Sequence, residues 1–161
     1  VRTLKVAKAR RITRMINAST GIATEPVNAA YIGLCHPNTT YTLKGLTGFT
    51  SVEKYASTVN VMDGEIGKLD EVRFIESTNC KVFTAAGESS IDVYATVIVG
   101  MDAYGISRIS GESVKNIVKP LGSAGTSDPL EQRATSGWKA TFVAKILNDA
   151  FMIRIEHAVA A

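Results

Sequence analysis

The sequence predicts an α+β domain, helix-rich first and antiparallel β last, and three observations carry that reading. Helix-start signals cluster in the first third: a basic amphipathic opening, Pro37, and the pattern Thr50-Ser51-Val52-Glu53. Strand-like runs fill the remainder, the most apolar being Val93-Tyr94-Ala95-Thr96-Val97-Ile98-Val99. Residues 134–146 then alternate strictly: Ala134, Ser136, Trp138, Ala140, Phe142, Ala144 and Ile146 on one face, and mostly polar side chains on the other. Alternation at period two marks a half-buried strand. Typical strands run to ~5–6 residues. A longer one predicts a framework protein more than a pocket enzyme. Helices and strands do not alternate as they do in an α/β fold.

The elements follow in order. Residues 1–14 hold Arg2, Lys5, Lys8, Arg10, Arg11 and Arg14 with no acid. Val1, Leu4, Ala7, Ile12, Met15 and Ile16 make a loose apolar stripe, which predicts a helix over 1–17. One reading makes this segment a nucleic-acid or membrane-surface arm. The other makes it the solvated face of a helix, and the absence of interleaved aromatics favours that second reading. A small-residue loop follows through Pro26, so residues 1–27 form a basic helix and linker and 28–161 the main domain. Tyr31 to His36 reads as a buried strand, and Pro37 suits the first turn of a helix to about Leu46, because its missing N–H costs nothing there. Thr50 and Glu53 predict a capping box starting a short helix to about Thr58.

Gly64-Glu65-Ile66-Gly67 reads as a turn and Val72 to Glu76 as a strand. A polar link over 84–90 leads to the apolar strand of Asp92 to Gly100. Val114 to Lys119 is another strand, joined by a Pro/Gly/Ser turn to the long alternating run. Asn148-Asp149 offers a hairpin turn into Phe151 to Glu156.

Bulk numbers set bounds. At 161 residues the chain buries enough surface to need no disulfide or metal staple. It is 45% hydrophobic and 20% charged, and no apolar run approaches a membrane span. It opens on Val1 rather than Met, without a leader pattern, so we expect a processed product or a fragment. Cys35 and Cys80 are the two cysteines and lack a Cys-x-x-Cys partner, which predicts buried thiols in a reducing compartment.

Patterns for chemistry are sparse. Gly122 to Ser127 has no lysine and opens a strand rather than a helix, so it reads as a turn and not a phosphate loop. No Gly-x-Ser-x-Gly elbow is present. His36 sits at a strand-to-helix junction where it can cap the turn, and His157 lies near the end; neither belongs to a metal-spaced cluster. Glu65, Asp70, Glu71 and Glu76 are interspersed with Lys68 and Arg73, which reads as a solvated, self-neutralising loop rather than paired carboxylates. Trp138 reads as a core position. No nucleophile, base and oxyanion donor assemble, and we expect no enzyme, cofactor or metal.

Several segments occur in one order: Tyr31-Ile32-Gly33-Leu34-Cys35-His36-Pro37, Gly64 to Leu69, Val72 to Ser77, Val118 to Thr126, Gly137-Trp138-Lys139-Ala140 and Lys145 to Asp149. Taken together they resemble the C-terminal part of a tailed-phage or prophage major capsid protein of the N-four-like podophage branch, over about residues 28–156. The resemblance implies the Hong Kong 97-type capsid fold, an axial domain with returning peripheral-domain strands, and residues 1–17 as the end of its spine helix. It implies self-assembly into hexamers and pentamers in a virion capsid, built in the host cytoplasm, with packaged DNA met only indirectly and no membrane partner. The arm, extended loop and most of the spine helix have no counterpart here, so this piece could remain monomeric. On that reading the loops 63–71 and 120–129 are exposed subunit contacts, through Gly64, Glu65, Lys68, Pro120, Ser123, Thr126 and Asp128. An encapsulin-like compartment shell and a small nucleic-acid-binding module using the basic start are the alternatives.

Overall fold

The computed structural model describes residues 1–16, 25–57, 59–108, 114–123 and 125–159. Their elements are α1 (Arg2–Val6), β1 (Tyr31–Cys35), α2 (Pro37–Lys44), β2 (Phe49–Ser51), β3 (Glu65–Leu69), β4 (Val72–Glu76), β5 (Val82–Phe83), β6 (Val93–Val99), β7 (Tyr104–Arg108), β8 (Lys115–Lys119), β9 (Thr135–Lys139), β10 (Phe142–Ile146) and β11 (Met152–Ala158), with short 3-10 turns between them. The class is α+β with mostly sheet content, 17% helix against 40% strand among the described residues. Two compact units divide the chain: residues 1–103 with 147–161, and residues 104–146.

The first unit is built on a seven-stranded sheet in the order β11-β6-β1-β4-β3-β2, with β5 also on β6. Of its pairs, β1 and β4 run parallel, and the others described are antiparallel. The register places Tyr31 beside Val72, Gly33 beside both Phe74 and Ile98, and Ile153 beside Ile98, so these side chains share one face. With Leu4 and Ala9 they form the main core. Gly33 is there because the Phe74 ring lies on it: a Cβ would stand 2.7 Å from a ring carbon. A second cluster joins Ile16, Val27 and Tyr55.

The basic opening departs from the helix expected over 1–17, and Asn17 lies outside the described residues. α1 stops at Val6 because Lys8 takes a left-handed φ of 60°. The Ala9 amide then donates to the Leu4 carbonyl at 2.9 Å and the Lys8 amide to that of Lys5 at 3.0 Å. That is a Schellman closure with a lysine where glycine is usual, backed by the buried Leu4–Ala9 pair. Beyond it the chain is extended: the Ile12 and Thr13 amides both bond the Ala30 carbonyl, and Ile16 bridges Val27.

α2 forms as expected. Pro37 opens it, and the His36 ring accepts the Asn38 amide through Nδ1 at 3.2 Å. The capping box does not form. Thr50 lies in β2 and its hydroxyl donates to Glu25 at 3.3 Å, so only a single 3-10 turn, Val52–Lys54, follows. Thr58 lies outside the described residues. Residues 65–69 are strand β3, not a turn; the reversal is Asp63-Gly64, where Gly64 has φ 72°. Asn148 caps a 3-10 turn rather than a hairpin, and β11 pairs with β6, not with the strand before it.

In the second unit the long strand expected over 134–146 is two strands, β9 and β10, interrupted at Ala140-Thr141. Each pairs with a different partner, β9 with β8 and β10 with β7, in two-stranded antiparallel ladders.

Candidate functional site

The second unit is a β-ribbon whose side chains are sorted by register. In the β7–β10 ladder, Tyr104 faces Ile146 and Ile106 faces Ala144, so Tyr104, Ile106, Phe142, Ala144 and Ile146 lie on one side. Gly105, Ser107, Val143 and Lys145 take the other. In the β8–β9 ladder, Trp138 and Val118 share a face with Asn116 and Ser136; the opposite face carries Lys115, Lys119 and Lys139 around Ile117. The alternation legible in the sequence is therefore real within each ladder.

Its expected consequence, a half-buried strand, is not found. Of the described side chains in 104–146, only Gly105 and Asp128 are even half-buried. Trp138 and Phe142 are each 75% exposed and Ile106 is 64% exposed. Trp138 is thus no core residue of the single chain. Large apolar patches left in water mark interaction surfaces, and a two-stranded ribbon without a covering layer is marginal by itself.

The proposed contact loops fare differently from each other. In 120–129, Pro120, Ser123 and Thr126 are exposed, as expected, whereas Asp128 is half-buried and accepts the Arg133 amide at 2.7 Å. Ser123 closes the turn by donating its hydroxyl to the Pro120 carbonyl at 2.6 Å. Ala124 lies outside the described residues. Leu121 and Leu130 stand 60% and 73% exposed beside this turn.

The 63–71 segment is not an exposed loop. Gly64 is exposed, but Lys68 is half-buried with Nζ on the Pro26 carbonyl at 3.3 Å, and the Glu65 side chain is wholly buried. Glu65 accepts Arg73 Nε at 2.6 Å and Nη2 at 2.5 Å, the Tyr55 hydroxyl at 2.9 Å and the Met62 amide at 3.0 Å. The Tyr55 hydroxyl's pKa is pushed up by burial and by the neighbouring carboxylate. Glu65 is therefore a buried structural anion, not the exposed loop residue expected. The signal for this is Arg73 standing inside the apolar run Val72-Arg73-Phe74-Ile75, since a charge in a buried strand demands a counter-charge.

The other acids of that neighbourhood go separate ways rather than forming a dyad. Glu71 is held by Lys5 at 2.6 Å and Arg11 at 2.7 Å, which keeps its carboxyl below the usual range, while Glu76 accepts the Thr40 hydroxyl. Cys35 is buried and its thiol is pushed up to about 11, chiefly by desolvation; Cys80 is only half-buried, against the expectation of two buried thiols. His157 Nε2 lies 2.8 Å from the Thr96 hydroxyl, in an apolar groove of about 360 Å³ with Leu43, Leu69, Phe74 and Ile155.

Among the described residues no group of three or more His, Cys, Asp or Glu side chains is placed to hold a metal, and no helix is long and apolar enough to cross a membrane. Neither protein-family models nor curated proteins match this chain.

Proposed function

We propose that this chain is a structural subunit of a phage or prophage icosahedral capsid, associating with copies of itself into hexamers and pentamers and carrying the Hong Kong 97-type fold. One observation carries the proposal: the ribbon of 104–146 exposes Tyr104, Ile106, Val118, Trp138, Phe142 and Ile146, while none of its described residues is buried. Apolar side chains sorted to one side of a ladder are a buried face without its cover. In a shell, that cover is supplied by neighbouring subunits through repeated interfaces. The ordered set of segments that resembles the capsid family supports the same reading, and such a role asks for rigid strands rather than reactive groups. The virion, and the host cytoplasm during assembly, are its places on this reading.

Negative-stain electron microscopy of the product of the complete open reading frame tests it. Closed shells, or regular rings and tubes, are expected. A monodisperse monomer, under conditions that include any scaffold encoded beside it, would overturn the proposal.

A further inference from the structure

The closure of α1 has a second effect on charge. Because Lys8 reverses the chain at φ 60°, the cations after it come round beside α1 instead of spreading along a helix. The result is a cleft of about 590 Å³ in the first unit, lined by Lys5, Lys8, Arg10 and Arg11 with Ala29 and Tyr31. Glu71 pins two of these cations, Lys5 at 2.6 Å and Arg11 at 2.7 Å. Asp102 approaches Arg10 only at 3.9 Å, and the Arg10 side chain is 79% exposed. Lys8 forms no ion pair with any described residue. Among the described residues, four cations against two acids leave the cleft positive.

The cleft offers no ring for stacking. Among the described residues Tyr31 is its one aromatic, is 2% exposed, and donates its hydroxyl to the Ala9 carbonyl at 3.0 Å. Cations without accessible aromatics or amides suit phosphates rather than base edges. The hollow is shallow and open to solvent, which suits an extended phosphate backbone more than one enclosed phosphate. We propose that this cleft binds the phosphate backbone of duplex nucleic acid without reading its sequence, Lys8 and Arg10 making the contacts while the Glu71 brace holds Lys5 and Arg11 at its edge. This goes beyond a shell role and does not depend on it.

The test is fluorescence anisotropy of the whole chain with two short duplexes of unrelated sequence, between about 50 and 200 mM salt. Both duplexes should bind alike, with affinity falling steeply as salt rises. Lys8→Gln/Arg10→Gln should weaken binding on the order of tenfold or more and flatten the log–log salt slope by about 1.8, two phosphate contacts at about 0.9 each. Lys119→Gln/Arg133→Gln, which removes equal charge from the ribbon, should change affinity less than about twofold. Circular dichroism melts confirm that both variants fold. Equal loss in the two variants, or none in the first, would overturn the proposal. So would displacement by millimolar inorganic phosphate at constant ionic strength, or tighter binding to anionic lipid vesicles than to DNA. Micrographs of the first variant should still show assembly, so this inference and the shell reading fail separately.

Discussion

Glu65 and Arg73 meet on adjacent strands as a two-pronged ion pair, with contacts of 2.6 and 2.5 Å and side chains 0% and 1% exposed. The Asn60 carbonyl accepts a further bond from Arg73 Nη2 at 2.6 Å, and the guanidinium lies over the Tyr55 ring. This pair ties the 3-10 turn and the loop after it to the β3–β4 strands.

Glu65→Gln should therefore cost about 3–5 kcal/mol, because it leaves the Arg73 charge buried without its counter-charge. Urea unfolding should show a lower midpoint at unchanged slope. Replacing both partners with apolar residues should cost less than the single change.

Gly33→Ala should destabilise by about 1–3 kcal/mol through overpacking, since the new Cβ meets Phe74 at 2.7 Å and Val72 at 3.0 Å. Adding Phe74→Leu should recover part of that loss, measured by the same unfolding curve.

Stability should fall on mild acidification. Burial lowers the His157 pKa from its ordinary value, so the fold prefers the neutral ring. The unfolded chain then takes up the proton first as pH drops, and stability that is full above about pH 6.5 declines below it. Asp70 lines the same groove. Glu71, lowered chiefly by Lys5, adds a second decline as pH falls below the ordinary carboxylate range. Thermal melts from pH 8 to 3 should show both steps, and His157→Gln should remove only the upper one.

The two thiols should react at very different rates. At about pH 8 the Cys35 thiol is protonated as well as buried, and Cys80 is half-buried. An aromatic disulfide reagent should modify Cys80 first and Cys35 only as the protein unfolds.

Much of the first unit was legible because its signals are local. Pro37 and His36 start α2 by geometry that neighbours do not change, and β1, β4 and β6 are apolar enough to be buried in any compact arrangement. What escaped were features decided at a distance. Nothing near Lys8 announces a left-handed residue, because the closure relies on Leu4 and Ala9 reaching the sheet core. Thr50 and Glu53 fit a capping box, yet Thr50 is taken by strand pairing with Lys68. Period two along 134–146 reported which side chains share a face within each ladder, but not the break at Ala140 or the exchange of partners there. Nor could it report that the face lies bare, since alternation encodes a need for cover and not its source. Tyr104-Gly105-Ile106-Ser107-Arg108 carries the same alternation in miniature and was the available sign of β7.

Trp138 and Phe142 each stand bare on their own ladder of the second unit. Trp138→Ser/Phe142→Ser removes its two most exposed aromatic side chains, at 75% each, without touching either core cluster. Sedimentation velocity of the protein from the complete open reading frame, wild type beside this variant, measures what they do. The wild type should form large, discrete assemblies, and the variant should sediment slowly as a folded monomer or small oligomer. Identical large assemblies from both proteins, or a wild type that stays monomeric at every concentration, would contradict the shell reading.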